Sequence, residues 1–590
     1  MRIRNVGVAT VVLGLALGLT ESPSRGQGSP SQGFGGPGSP SQGLGAPSSA
    51  VESPILAAMQ DELKRSMAEL KLRDEPPPYY IAYEVDEVAS SRITAQLGAI
   101  VSDTLNRSGT LRVEVRVGDY NFDSSRFVVQ GRGGVVPISG EAAIGITLDK
   151  DYDALRRQIW LLTDAVYKRA VTAFARKKAA FQNRSVTEVI PDFSKETPVD
   201  TILPGVEPVR DMGDWAERIK KVSAVFASNA DLQTSEVSVS ETRGTQYYIN
   251  SEGSKVVAPI QFATVLLSAE TQADDGMVLQ DRFEATEARL QDLPSVSALT
   301  TRALEAATRV SAARTAPLGE EYTGPVLIEG EASAQLAAQT LVPLMLARRA
   351  PDADSIRITQ LVQGQVTPFL SRIGLRVLPD SFSVTDTPSL KQYEGKSVPG
   401  SYVADDEGTP ATDVTLVEKG RLVTLLTNRT PNKHLPRSNG HGRGGNVQAG
   451  VFQMQSAQAV PAAEMKAKYL ELLKLQSKEF GYIVRVLDLD DTPGAGLARG
   501  PIILHATKIS LDGTESPVRG LRFADIPFAS FKDITDASQE RKLQSFRAQG
   551  GAVVSLIVPD LMFEELEIQR VSDIAQKPPI VRSPLKDPSV

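Results

Sequence analysis

The sequence predicts an α+β fold, antiparallel in flavour, with an N-terminal α/β region followed by a β-rich C-terminal region. Three observations carry this. Strand-length segments alternate apolar and polar residues, as in "GTLRVEVRVGDY", where Leu111, Val113, Val115 and Val117 face one way. Long segments with a helical stripe also occur, but they do not alternate with strands as a βαβ series would. From Gly324 onward the pattern changes to shorter strands separated by many turns.

The elements follow in order. "MRIRNVGVATVVLGLALGLT" has a basic start at Arg2 and Arg4 and an apolar run from Val6 to Leu19, too short to span a bilayer comfortably. It reads as a secretory signal over 1–27, which predicts export to a periplasmic or extracellular space and no transmembrane span after processing. "GSPSQGFGGP" and "GSPSQGLGAP" repeat in tandem, so 28–50 reads as a Gly/Ser/Pro/Gln-rich linker with nothing to bury. A helix begins after Ser53 as N-cap, with Pro54 in its first turn and Ile55, Met59, Leu63, Met67 and Leu70 as its stripe. Strands are expected in "PPPYYIAYEVDEV" and "RITAQLGAIVSDT". A long helix over Tyr152–Phe181 carries Leu155, Ile159, Leu162, Val166 and Ala170 inward; Arg156, Arg157, Lys168, Arg169, Arg176, Lys177 and Lys178 read as its solvated face. A helix with Trp215 and Ile219, two strands within 235–276, and a helix near 295–314 complete an N-terminal domain at 51–315. A β-rich domain at 322–570 holds helices near 331–347, 463–475 and 528–545. A Pro-rich tail covers 571–590.

Composition narrows function. The 590 residues include 64 Lys plus Arg against 71 Asp plus Glu, a net charge of −7, which argues against nucleic acid as a partner. There is no cysteine, so disulfides, thiolate zinc ligands and a cysteine nucleophile are excluded. Only three histidines are present.

Four stretches then stand out: "YYINSEGS" at 247–254, "GSYVADDEGTPATDVTLVEKGRLVTLLTNR" at 400–429 with a hairpin turning at Lys419-Gly420, "DGTESPVRGLRF" at 512–523 read as a hairpin, and "VSLIVPDLMFEELEI" at 554–568. Together they resemble the TldD/PmbA family of metallopeptidase-related proteins over about residues 51–570, the acidic "DDEGTP" turn being the most specific piece. The resemblance implies a barrel-like C-terminal domain and a dimer. In the active type of subunit it also implies H-E-x-x-x-H on a helix after a strand, with a later cysteine, holding a metal that activates water. In this sequence "GPVLIEGEASAQLAAQTLVPLML" occupies that place. Aligned by its strand, the His-Glu pair falls near Ala338 and Gln339 and the second His near Pro343. A second register uses Glu331, flanked by Gly330 and Gln335. No histidine precedes Lys433. The chain therefore resembles the metal-free, PmbA-like type, with no catalytic residue to name and no cofactor. It is expected to bind extended peptide, as a homodimer or as the partner of a TldD-type subunit. The resemblance marks Asp405, Asp406, Glu407, Gly408, Asn439 and Gly440 as motif or peptide-groove residues.

Whether the chain is itself an enzyme stays open at this point. One alternative is a peptidase site near Asp405–Glu407 and His434/His441, with zinc on His434, His441 and Asp405; another is a non-catalytic structural envelope protein. "GHGRGG" at 440–445 matches G-x-G-x-x-G but neither follows a clear βαβ strand nor opens a helix. Asp274-Asp275-Gly276 reads as a turn, and His505 in "PIILHATKI" as a partly buried strand histidine.

Overall fold

The structure is a computed structural model that describes residues 53–131, 134–182, 190–364, 366–489, 500–548 and 550–571, together with Lys577 and Pro579. The expected signal, the linker and nearly all of the tail lie outside these residues. Among the described residues, no helix is long and apolar enough to cross a membrane.

The N-terminal half is built on a long hairpin. Strand β1 (Pro78–Gln96) turns at Leu97-Gly98 into β2 (Ala99–Val117). Both turn residues have positive φ, 47° and 87°, the geometry that matches the twist of the flanking strands. The sheet has seven strands, ordered Glu141–Ile146, β2, β1, Thr234–Asn250, Lys255–Gln272 and Asp200–Ile202, with Val278–Glu287 also on Lys255–Gln272. Alternation places Ile81, Tyr83, Val85, Ile93 and Ala95 of β1 on one face. Helices α1 (Pro54–Glu69) and α2 (Tyr152–Phe181) cover one end of it, burying Leu111, Val113, Val115 and Val117. Helices α3 (Trp215–Ala224) and α4 (Val296–Thr315) cover the other end.

Three details differ from the sequence reading. The stretch "RITAQLGAIVSDT", expected as one strand, is the tip of the hairpin: Leu97-Gly98 turn the chain back, and its two sides pair with each other. Ser53 sits at the N-cap, yet its side chain makes no cap hydrogen bond, and Glu62 and Ser66 replace Leu63 and Met67 among the buried residues of α1. Lys177 is not on a solvated face; it is fully buried, and its Nζ meets Asp192 Oδ2 at 2.7 Å.

The C-terminal half holds an eleven-stranded mixed sheet. Strand Tyr322–Ile328 runs parallel to Phe480–Leu487 and antiparallel to Val553–Arg570. Phe480–Leu487 continues through Ile502–Ser510 and Leu521–Phe523 back to Val553–Arg570, so five strands close into a barrel-like ring. Val326 and Ile328 feed the main core, and Leu327 feeds a second one with Met465, Tyr469 and Leu473 of helix Ala462–Leu475.

Three expected elements change form here. Residues 331–347 are not one helix, as described below. Residues 528–545 hold only a short 3₁₀ turn, Phe528–Asp533, followed by strand Ile534–Arg547. The Gln, Glu, Arg and Lys of that stretch favour helix, but the eighteen-residue strand Val553–Arg570 offers a long ladder of backbone partners, and pairing with it prevails. A register shift between Ala537 and Arg541 lies opposite Pro559, which has no N–H to donate. Finally, 512–523 is not a hairpin in itself: Glu515–Val518 and Leu521–Phe523 both pair with Ile502–Ser510.

Candidate functional site

The strand Tyr322–Ile328 ends at Gly330, whose φ of 66° redirects the chain and whose N–H donates to Asp560 Oδ1 at 2.7 Å. A helix follows, but as α5 (Glu331–Leu336) it lasts six residues. The turn Ala337–Leu341 is then π-helical, the Val342 N–H returning to the Ala337 carbonyl, and Val342–Met345 tightens to 3₁₀. Pro343 supplies the physical reason, since it cannot return a hydrogen bond to the Gln339 carbonyl. A π turn brings residues five apart onto one face. Ala338 and Pro343 therefore lie together on the partly exposed side with Gln339 and Thr340, while Ala337, Leu341 and Val342 are buried.

These are the positions that the resemblance assigns to a metal motif, and their donors do not fit a zinc ion. Zinc needs about three N, O or S ligands at roughly 2.0–2.3 Å. The face offers a methyl group, a pyrrolidine ring, one neutral amide and the Thr340 hydroxyl, which donates to the Leu336 carbonyl at 2.6 Å. The Gln339 Nε2 donates to the Asp488 carbonyl at 3.1 Å, and its Oε1 is buried without a hydrogen-bond partner among the described residues. In the second register, Glu331 pairs with Arg302 of α4 at 3.3 Å. Burial pushes the Glu331 carboxyl up and Arg302 pulls it down. Gln335 Oε1 accepts the Leu487 N–H at 2.7 Å.

The acidic turn at 405–409 is an internal brace. Asp405 Oδ1 accepts the N–H groups of Glu407 at 3.0 Å and Thr409 at 2.8 Å, and its Oδ2 accepts that of Gly442 at 2.9 Å. Asp406 Oδ2 accepts the Gly444 N–H at 2.6 Å. Glu407 accepts from Asn428 Nδ2 at 3.1 Å and from the Arg429 N–H at 2.6 Å. Burial pushes the Asp405 carboxyl up, Glu407 adds to this, and the N–H donors of Thr409 and Gly442 oppose it. Gly408 has φ 70°, and a Cβ there would lie 2.4 Å from a Tyr248 ring carbon. Its carbonyl accepts the Ser254 hydroxyl at 2.9 Å. Two of the four stretches that carry the resemblance, 247–254 and 405–409, are thus packed on one another across the two halves. A third does the same: Arg519 pairs with Asp275 at 2.9 Å, and Gly520 packs on Met277.

Asn439 accepts the Thr427 N–H at 2.8 Å and donates to the Leu425 carbonyl at 2.9 Å; the Gly440 carbonyl accepts the Tyr402 hydroxyl at 2.7 Å. His441 is fully buried, with Nε2 3.2 Å from Asp386 Oδ1 and Nδ1 3.0 Å from Asn439 Oδ1. His434 is exposed. The structure therefore does not gather His434, His441 and Asp405, and among the described residues no three His, Asp or Glu side chains group as metal ligands. "GHGRGG" is a tight hairpin, Gly442–Arg443 pairing with Asn446–Val447.

His505 lies in strand Ile502–Ser510, and burial pushes its imidazole down to about 4. It borders a cavity of about 310 Å³ that sequence reasoning missed, lined also by Leu279, Asp281, Arg309, Ile503 and Leu521. Its walls come from both halves of the chain, and no local motif signals that.

Comparison with known proteins follows this geometry. Residues 321–570 match the family model described as the PmbA/TldA metallopeptidase C-terminal domain. No curated protein matches the sequence. Three solved structures share the fold, each with a TM-score of 0.55. A candidate modulator of a DNA gyrase from Thermotoga maritima is 15% identical, over 83% of this chain and 96% of that one. TldE from Thermococcus kodakarensis is 13% identical, over 87% and 99%. A candidate modulator of DNA gyrase from Bacteroides thetaiotaomicron is 12% identical, over 87% and 98%.

Proposed function

This chain belongs to the TldD/PmbA family of metallopeptidase-related proteins, and from that premise we propose that it is a metal-free member: an exported subunit that holds extended peptide or pairs with a metal-bearing subunit, without cutting peptide bonds itself. The widened turn supports this most. Its backbone brings residues five apart onto one face, the spacing of the two histidines in H-E-x-x-x-H, yet the side chains there are those of Ala338, Gln339 and Pro343. A bound metal would supply a lowered water pKa and a Lewis acid; these three side chains supply neither a ligand set nor a general base. What remains is recognition. An extended peptide suits a β-rich body, because backbone pairing at a sheet edge needs no catalytic group. The eleven-stranded sheet ends on one side in the two-residue strand Arg421–Leu422.

Metal analysis of the purified chain, followed by a peptide-library digest with and without added zinc, tests the reading. The expected result is substoichiometric zinc and no cleavage in either condition. Stoichiometric zinc with chelator-sensitive cleavage, both lost in a His434→Ala, His441→Ala double variant, would establish the alternative site instead. Export is tested separately by fractionation, which should place the processed chain outside the cytosol; a full-length cytosolic chain would remove that part of the proposal.

A further inference from the structure

We propose that strand β2 pairs edge to edge and antiparallel with β2 of a second copy of this chain, Leu105 lying at the two-fold axis. This goes beyond the reading above, which names a metal-bearing partner and not a second copy of this chain. On its outer side, β2 pairs with Glu141–Ile146 only over Gly109–Glu114. On its inner side, Ser102–Val117 follow β1 in continuous antiparallel register apart from one irregularity beside Pro78. The segment Ser102–Ser108 therefore has a free edge among the described residues. Seven residues at about 3.3 Å each make a row of outward N–H and C=O groups roughly 23 Å long. Such an edge invites another strand unless Pro, Lys or a bulge blunts it. Ser102–Ser108 contains neither Pro nor Lys, and the register shift near the hairpin tip lies at Val101, before the segment begins.

The residues themselves select the occupant. In "SDTLNRS" a two-fold register centred on Leu105 sets Asp103 opposite the other copy's Arg107, and does so twice. It also sets Ser102 opposite Ser108 and Thr104 opposite Asn106, and stacks Leu105 on its own copy. Moving the centre by one residue in either direction leaves both charges facing uncharged side chains. Directly opposed residues on antiparallel strands have Cβ atoms about 4.5–5.5 Å apart, close enough for opposite charges to attract and like charges to repel. Asp103, Leu105 and Arg107 are all exposed, Leu105 at 47%, and Asp103 also reaches Arg210 at 2.6 Å. A self-complementary stripe fits a second copy of this chain better than a peptide of unrelated sequence.

Sedimentation equilibrium at micromolar concentration reads the outcome. The purified chain should sediment as a dimer of its own mass. Asp103→Arg and Arg107→Asp should each raise the dimer Kd by about tenfold or more, because each creates two like-charge pairs. The double swap should restore the wild-type Kd, and Arg210→Ala, which removes only the internal partner of Asp103, should leave it within about twofold. A monomeric wild type would overturn the proposal. A dimer indifferent to both single reversals would overturn this edge while leaving dimerisation standing, and weakening without rescue would overturn the register. Zinc content and cleavage are read independently of these variants, so failure of the metal-free reading stays distinguishable.

Discussion

Replacing Arg429 with Ala is expected to lower the free energy of unfolding by about 3–5 kcal/mol, the range found when one partner of a buried ion pair is removed. Arg429 is 1% exposed and heads the largest fully buried side chains of the described residues. Its Nη1 lies 2.7 Å from Glu252 Oε2, and Nε and Nη2 donate to the Ser194 carbonyl at 3.0 and 2.6 Å. The guanidinium also sits over the Phe193 ring at 3.9 Å. Truncation would leave the Glu252 carboxylate with the Tyr120 hydroxyl, at 2.6 Å, but without its cation, and would strip the Ser194 carbonyl of both guanidinium donors in a nearly dry site. The Glu407 carboxylate would keep the Arg429 backbone N–H, so the acidic turn itself need not melt. Arg429→Lys should recover less than half of the loss, since an ammonium cannot serve Glu252 and Ser194 with one planar fork. Urea unfolding measures both variants. A loss under about 1 kcal/mol for the Ala variant would contradict the view that this arginine welds the two halves.

The second large effect is expected at Lys177, where Lys177→Met should cost about 3 kcal/mol or more. The ammonium touches Asp192 at 2.7 Å, the Ser125 carbonyl at 3.0 Å and Asp352 at 3.3 Å, and it faces the Phe122 ring. Met keeps the apolar stem but leaves Asp192 with Arg349, at 3.5 Å, as its remaining ion-pair partner among the described residues. Burial already pushes the Asp192 carboxyl up against the pull of Lys177, so losing the ammonium disfavours its charge further. A Lys177→Met, Asp192→Asn double variant should lose less than the sum of the single variants, because the second change removes the stranded charge. Strict additivity in urea unfolding would show that the pair does not act as a unit.

The burial of Lys177 is legible in the sequence. The stripe Leu155, Ile159, Leu162, Val166, Ala170 and Ala173 continues at helical spacing to position 177, so the lysine falls on the buried face. Grouping it with its basic neighbours obscured that periodicity. The acidic turn poses the opposite problem. Its composition suggests a site that faces substrate, but each of its carboxylates accepts backbone N–H groups, and Gly408 packs on Tyr248. Groups 154 residues apart in sequence meet there, as the Ser254–Gly408 hydrogen bond records, and no local spacing reveals such a partner.

The sequence by itself determined the α+β class, the helices of the N-terminal half, the family resemblance and the absence of cysteine and histidine at the motif position. These follow from alternation, helical periodicity and residue identity, which are local properties. The long β1–β2 hairpin is not among them, because its turn lies inside a stretch that reads as one strand. Only the tertiary structure decided that Ile534–Arg547 is a strand rather than a helix, because a long partner strand outweighs a weak helical preference. It alone placed His441 in the core and His434 at the surface, seven residues apart in one loop. It also turned the expected helix after Gly330 into an α, π and 3₁₀ sequence around Pro343, since a missing N–H matters only once the chain is committed to helix.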